Sequence, residues 1–157
     1  MKEGDTAENF ELYNQDSNIT SLESFRGSKN VVLCFYPKNH LFGCPSKKVH
    51  KMATSTISAY PEIISTDTIL FAISCDTIKD QKKFVEKFHI PYPHLSDTTK
   101  ETCKKYAGLN FVGLPKRSTF IIDKNGIIRK IFDDVAVEQH GAEIVSFLKS
   151  LVGSSKV

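Results

Sequence analysis

Val31-Val32-Leu33-Cys34-Phe35-Tyr36-Pro37 and, after a polar loop of Lys38-Asn39-His40-Leu41-Phe42, Gly43-Cys44-Pro45 form the most telling stretch of this chain. The apolar run over 31–36 reads as a core strand that Pro37 stops. From Ser46 onward Val49, Met52, Ala53, Ile57 and Tyr60 fall at helical spacing, and Pro61 is expected to end that helix. Pro45 suits a first helical position, because the N–H it lacks would have no partner there. Cys44 is therefore expected at the N-terminal end of a helix, facing unpaired N–H groups and the positive end of the dipole. Such surroundings lower a thiol pKa. A thiol of pKa ~8.5 is only about 3% ionised at pH 7, whereas one near 6 is roughly 90% ionised. Lys47 and Lys48 oppose the dipole but favour a neighbouring thiolate, a local conflict expected at functional sites. The bland alternative for Cys44 is a small buried core residue. Its polar, helix-starting flanks argue against that.

Working outward, the elements alternate without a linker. Phe10–Tyr13 and Ile19-Thr20 flank the turn cluster Asn14–Asn18, predicting an opening hairpin. A helical turn at Ser21–Phe25 leads to Gly27 and the first core strand. Thr68–Ser74 is a second continuous apolar strand, followed by Thr77 and Asp80 in a capping pattern before Phe84, Val85 and Phe88. Pro91 and Pro93 break that helix, and Pro93-His94-Leu95 reads as a short edge segment. Asp97 or Thr98, with Glu101, is expected to cap a helix reaching Tyr106-Ala107-Gly108. Ser118–Ile122 and Ile127–Phe132 flank Asp123-Lys124-Asn125-Gly126, a hairpin signal. Ile144, Phe147, Leu148 and Leu151 mark a final amphipathic helix. Two continuous apolar strands joined through a helix predict a βαβ crossover in a sheet covered on both faces. The expected class is α/β: a thioredoxin-like fold with a mixed central sheet flanked by helices and an N-terminal hairpin extension, one domain over residues 1–157.

The 157 residues, 40% of them hydrophobic, suffice for one domain with a real core. A net charge of +3 spread along the chain does not argue for nucleic acid. The Lys pairs at 82–83 and 104–105 read as solvated helix faces. No stretch approaches the ~18 apolar residues of a membrane span, and the polar N-terminus carries no apolar leader. The expectation is a cytoplasmic protein, or one delivered elsewhere by a segment outside this sequence. Cys34, Cys44, Cys75 and Cys103 include no C-x-x-C pair and no metal-ligand spacing. They are expected to be free thiols in a reducing compartment. His40 and His50 do not converge with Cys44, so neither a metal nor a cofactor is expected.

With these residues placed, the chain resembles the peroxiredoxins, and among them the peroxiredoxin Q or bacterioferritin comigratory protein group, from about residue 2 to 152. Gly4-Asp5-Thr6-Ala7 and Phe10 match the family's opening, and Phe35-Tyr36-Pro37-Lys38 precedes the active loop. Gly43-Cys44 matches the reactive cysteine, and Arg117–Asp123 the strand that carries the active-site arginine. The resemblance implies that the Cys44 thiolate attacks a hydroperoxide and becomes a sulfenic acid while water or an alcohol leaves. Arg117 would stabilise both thiolate and peroxide with a planar, permanent cation. Gly43 would supply backbone donors to the substrate, and Pro37 would shield the sulfur from water. Without the resemblance, Arg117 reads as a surface ion-pair residue and Pro37 as a strand terminator.

Four positions depart from the family's pattern. The substrate-binding threonine or serine three residues before the cysteine is Leu41 here, and the usual next proline is Phe42. Lys47 stands where many members carry Glu. Losing one preorganised donor costs about 3–4 kcal/mol, or 10²–10³ in rate. The resolving cysteine that many members carry five residues on is Val49, so a one-cysteine cycle is expected, with thioredoxin or a small thiol as reductant. Cys75, at the end of a central strand, is the candidate for an internal resolving thiol. Cys34 and Cys103 read as structural. The alternative function is a degenerate peroxiredoxin fold with little peroxidase activity, acting as a redox sensor or binding protein. A monomer or weak homodimer is expected.

Overall fold

A computed structural model describes residues 1–41, 44–45, 47–133 and 139–154, with the backbone alone at 40–41, 44–45, 47–50, 52 and 152–154. The opening hairpin forms from β1 (Glu11–Asn14) and β2 (Ile19–Ser21), with Asn14 Oδ1 accepting the N–H groups of Asp16 and Asn18 across the turn. A 3₁₀ turn at Leu22–Phe25 leads into β3 (Asn30–Phe35). Then come β4 (His40–Leu41), β5 (Cys44–Pro45), α1 (Lys47–Ser65), β6 (Thr68–Ser74) and α2 (Ile78–Phe88). The chain closes with β7 (His94–Ser96), α3 (Glu101–Tyr106), β8 (Ser118–Ile122), β9 (Ile128–Asp133) and α4 (His140–Ser154).

Seven strands make one mixed sheet in the order β2-β1-β7-β6-β3-β8-β9. β3 runs parallel to β6 and β6 parallel to β7, while β8, β9, β1 and β2 join antiparallel. β3 is buried along its whole length because both faces are covered. Val32 and Cys34 point into one core with Ile63, Leu70, Phe84, Ile144 and Leu148. Val31, Leu33 and Phe35 point into the other with Leu22, Phe71, Leu95, Tyr106 and Phe120. The period-2 geometry of a strand explains the division: successive side chains feed opposite faces. Thioredoxin-like α/β architecture, expected from the sequence, is what forms.

Three local expectations are corrected. Pro61 does not end α1; it sits exposed inside the helix, which continues to Ser65. A helix-interior proline costs about 3 kcal/mol or more. Carrying the helix on buries Ile63 completely, and Ser65 and Thr66 hydroxyls donate to the carbonyls of Glu62 and Ile63 in the last turn. Packing on the core thus outweighs the local signal. The segment at His94 is not an edge: β7 lies between β1 and β6, because the N-terminal hairpin adds to it and occupies that side of the sheet. Pro45 is not the first helical residue; it pairs with His40 in a two-stranded ribbon, and α1 starts at Lys47. Proline fits there because an isolated ribbon leaves its missing N–H unneeded. Ser46 lies outside the described residues.

Candidate active site

The site grows from the C-terminal end of β3. Phe35 pairs with Ile73 on the parallel side and with Ser118 on the antiparallel side. The next residue, Tyr36, donates its N–H to the Ile73 carbonyl (3.1 Å) and is level with Arg117 across the antiparallel pairing. Pro37, half-buried, ends the ladder, since it has no N–H to give. Asn39 then anchors the loop. It is fully buried, its N–H donates to Asp76 Oδ2 (2.9 Å), and its Nδ2 donates to Gln81 Oε1 (2.9 Å). The Tyr36 hydroxyl donates to Asn39 Oδ1 (2.6 Å) and lies 2.9 Å from His94 Nδ1. Gln81 Nε2 donates to Ser74 Oγ (2.8 Å) and the Leu95 carbonyl (3.1 Å), and Ser74 Oγ donates to Asp76 Oδ2 (2.6 Å). Buried and mutually satisfied polar groups fix geometry more firmly than the same number of isolated contacts.

Beyond Asn39 the chain doubles back. His40 pairs with Pro45 and Leu41 with Cys44 in a two-stranded ribbon. Gly43 and Phe42 lie outside the described residues. Cys44 is thus carried by a hairpin, three residues ahead of the first helical residue, rather than by the first turn of α1. Its cross-strand neighbour is Leu41, the position where a family threonine was expected. Lys47 and Lys48 open α1, whose first turn holds no acidic residue.

Arg117 is half-buried at the entry to β8 and lines a cavity of about 20 Å³ with Cys34, Tyr36, Thr56, Tyr92 and His94. Burial lowers its pKa and the nearby Tyr36 raises it. The guanidinium is a cation regardless, because its intrinsic pKa lies so high. The same enclosure raises the Tyr36 phenol and pushes Cys34 up to about 12, leaving Cys34 an inert thiol. His94 falls to about 3 through burial alone, so it is neutral here and orients rather than charges the cluster. Its Nε2 has no hydrogen-bond partner among the described residues.

Cys75 follows β6 at the same sheet edge, half-buried. The neighbouring Cys103 lowers the Cys75 pKa, while Cys75 and burial raise that of Cys103. The polar cluster of Tyr36, Asn39, Ser74, Asp76, Gln81 and His94 was not anticipated from the sequence, nor was the meeting of Cys75 with Cys103. The members lie up to 58 positions apart and no spacing rule links them. The one usable cue was the capping pattern at Thr77, whose Oγ1 accepts from the Asp80 N–H (3.2 Å) and so fixes where Gln81 emerges.

The AhpC/TSA family model matches residues 4–131. The chain belongs to the AhpC/TSA family. Within it, the relatives are peroxiredoxins of the Q and bcp group, and this chain is a thiol-dependent peroxidase of that group. It is 30% identical over 153 residues to the putative peroxiredoxin bcp of Coxiella burnetii, covering 92% of this chain and 97% of that one. It is 32% identical over 155 residues to the chloroplastic peroxiredoxin Q of Oryza sativa subsp. japonica, covering 96% of this chain and 68% of that one. Among solved structures, this peroxiredoxin is similar to peroxidoxin BcpB of Mycobacterium tuberculosis (TM-score 0.84, 26% identity, 96% and 97% of the two chains). A PrxQ variant from Xylella fastidiosa shares the fold, with TM-score 0.87, 24% identity and 97% and 98% coverage. Among the described residues of this peroxiredoxin, no helix is long and apolar enough to cross a membrane.

Proposed function

We propose that Cys44 is the thiol that reduces the hydroperoxide, with Arg117, Pro37 and the backbone at Gly43 as its supporting groups. The observation that carries this reading is the sheet register: Arg117 and Pro37 converge on the end of β3, from which the Cys44 ribbon departs. The Cys44 thiolate attacks the distal peroxide oxygen, the O–O bond breaks, and the alkoxide or hydroxide leaves with a proton as alcohol or water. Sulfur is oxidised by two electrons to the sulfenic acid. Arg117 offsets negative charge on the thiolate and on the departing oxygen. Pro37, presenting no N–H, keeps that side of the sulfur apolar.

Recycling draws on an external thiol, thioredoxin or a small thiol, because Val49 leaves α1 without a resolving cysteine. Cys75 is the internal candidate for that role, at the same sheet edge. A cytoplasmic setting, where thiols are kept reduced, suits such a cycle, as does a monomer or weak homodimer. Neither metal nor nucleic acid enters it.

Leu41 favours a second reading. Leu41, the register partner of Cys44, has no hydroxyl to hold the peroxide as the family residue would, so oxidation of Cys44 serves as a redox signal rather than a fast cycle. Reduced protein is mixed rapidly with hydrogen peroxide or cumene hydroperoxide, and the sulfenic acid is trapped and located by mass. Oxidation confined to Cys44, well above the rate of a free thiol and absent in Cys44→Ser, is the expected result. The Leu41→Thr variant should gain up to 10²–10³ in that rate, since it restores one preorganised donor. A rate equal to that of a free thiol, unchanged by Leu41→Thr, would leave the sensor or binding reading.

A further inference from the structure

Four residues from separate elements close into one hydrogen-bonded ring at the foot of the loop that leads to Cys44. Asn39 gives its N–H to Asp76 Oδ2 (2.9 Å) and its Nδ2 to Gln81 Oε1 (2.9 Å). Gln81 Nε2 donates to Ser74 Oγ (2.8 Å), and the Ser74 hydroxyl donates in turn to Asp76 Oδ2 (2.6 Å). Asn39, Ser74 and Gln81 are each fully buried, so the ring lies out of reach of bulk water.

The ring has a single proton order, and Gln81 sets it. Its Nε2 also donates to the Leu95 carbonyl (3.1 Å), which accepts but never donates. Leu95 is held from both sides, paired with Ile73 in β6 and with Asn14 in β1. The Gln81 amide therefore cannot turn over, and its Oε1 must face Asn39. Asn39 must answer with Nδ2, which turns its Oδ1 toward the Tyr36 hydroxyl (2.6 Å). That hydroxyl also stands 3.0 Å from Gln81 Oε1, and His94 Nδ1 stands 3.3 Å from it. The backbone of Gln81 is fixed as well: Thr77 caps α2, and the Thr77 carbonyl accepts the Gln81 N–H (2.9 Å).

We infer that Gln81 is a positioning residue for the peroxide reaction, acting through Asn39 to set where the Cys44 ribbon stands relative to Arg117. This role rests on Cys44 being the peroxide-reactive thiol. Two partners of Gln81 lead to the two halves of the site. Asn39 immediately precedes His40, which pairs with Pro45 beside Cys44. Tyr36 lines the same cavity as Arg117. One amide thus ties the thiol-bearing ribbon to the wall around the cation. A misplacement of about 1 Å between reacting groups costs up to about 10²-fold in rate.

The test compares two reactions of Cys44 in the full chain, oxidation by hydrogen peroxide and alkylation by iodoacetamide. Alkylation needs only an accessible thiolate, whereas peroxide cleavage also needs that thiolate set against Arg117. Gln81→Met, unbranched like Gln but without its amide, should lower the peroxide rate roughly 10- to 100-fold and leave alkylation within about two-fold. Gln81→Glu, isosteric but short of the two donors, should behave likewise. A lower thermal midpoint with an unchanged ratio of the two rates would make Gln81 a structural residue only and overturn the role. The route through Asn39 is read from a double-mutant cycle on the logarithm of the peroxide rate. In an Asn39→Ala background, Gln81→Met should cost less than half of what it costs alone, because its partner is already gone. Full additivity would overturn the route. A parent Cys44 no faster with peroxide than a free thiol would overturn the peroxidase reading and this role with it. A fast parent with equally fast variants overturns the role alone. Should Gln81→Met fold poorly, Gln81→Glu replaces it in both measurements.

Discussion

Arg117 is a cation placed where burial works against charge. A half-buried guanidinium beside a tyrosine and two further aromatic walls gives up hydration, and its lowered pKa records that cost. A cost of this kind persists in a fold when the charge acts on something. Arg117→Lys keeps the charge but not the planar fork, and a lysine ammonium is more strongly hydrated. Cys44 oxidation by hydrogen peroxide should therefore fall by roughly 10-fold or more in Arg117→Lys and by about 10²–10³ in Arg117→Ala. Stopped-flow rates at pH 7 check this, with circular dichroism confirming that both variants fold. Rates within two-fold of the parent would remove Arg117 from the chemistry. At this scale the sequence showed which residue types matter but not what encloses them. Cys75, at a strand end, and Cys34, inside a strand, could be told apart by position but not by environment. In the fold, desolvation lifts Cys34 to about 12 while a partner thiol lowers Cys75. The difference arises from the burial of Cys34 in the core and from Cys103 beside Cys75, both made by residues far away in the chain, so no local pattern encodes it.

Elements were legible where a local cause sets them and illegible where packing does. The β8–β9 hairpin forms around Asp123–Gly126 as the Asn-Gly signal implied. Asp123 Oδ1 accepts the N–H groups of Asn125 and Ile127, and Gly126 takes the positive φ of +81°. Thr77 caps α2 as read. For α3 the reading was half right: the Asp97 carboxylate does take a helix N–H, that of Cys103, yet the helix starts only at Glu101, after Lys100 in a left-handed conformation. Pro61 misled because the burial of Ile63 lies outside any local rule. A tight contact between helices shows the same dependence. Gly141, in α4, donates its N–H to Ser55 Oγ (2.9 Å), and a Cβ at that position would stand 2.3 Å from the Ser55 carbonyl oxygen and 2.9 Å from Ala59 Cβ. The obstacle is backbone, so α1 and α4 must separate to admit even one methyl. Gly141→Ala, which on helix propensity alone would stabilise by up to about 1 kcal/mol, should instead destabilise by about 1–3 kcal/mol. That corresponds to a thermal midpoint lower by roughly 2–12 °C in a chain of this size. An unchanged or raised midpoint would mean that the two helices can move apart freely.

Over the whole molecule, the two cores meet across β3, and two neutral histidines are buried on the side that holds Cys34 and Tyr36. His94 is buried beneath the Tyr36 cluster with its pKa near 3, and His140, against Thr119 Oγ1 at 2.5 Å, is lowered to about 4 by burial. Both nitrogens left over, His94 Nε2 and His140 Nδ1, lack a hydrogen-bond partner among the described residues, so the fold offers nothing to a second proton. In the unfolded chain each histidine titrates near 6.5. Above pH 6.5 both states are neutral and these residues make stability independent of pH. Below 6.5 the unfolded state binds a proton that the folded state refuses, so the folded state loses ground until the pH reaches the folded pKa. Each histidine then contributes a slope of roughly 1.4 kcal/mol per pH unit, and the two together remove about 6 kcal/mol by pH 4, comparable with the whole stability of a marginal domain. The urea midpoint should hold steady from pH 8 to 7, fall steeply between 6.5 and 4, and fall about half as steeply in His94→Gln or His140→Gln. A midpoint constant from pH 7 to 5 would show that both histidines find a way to be protonated in place.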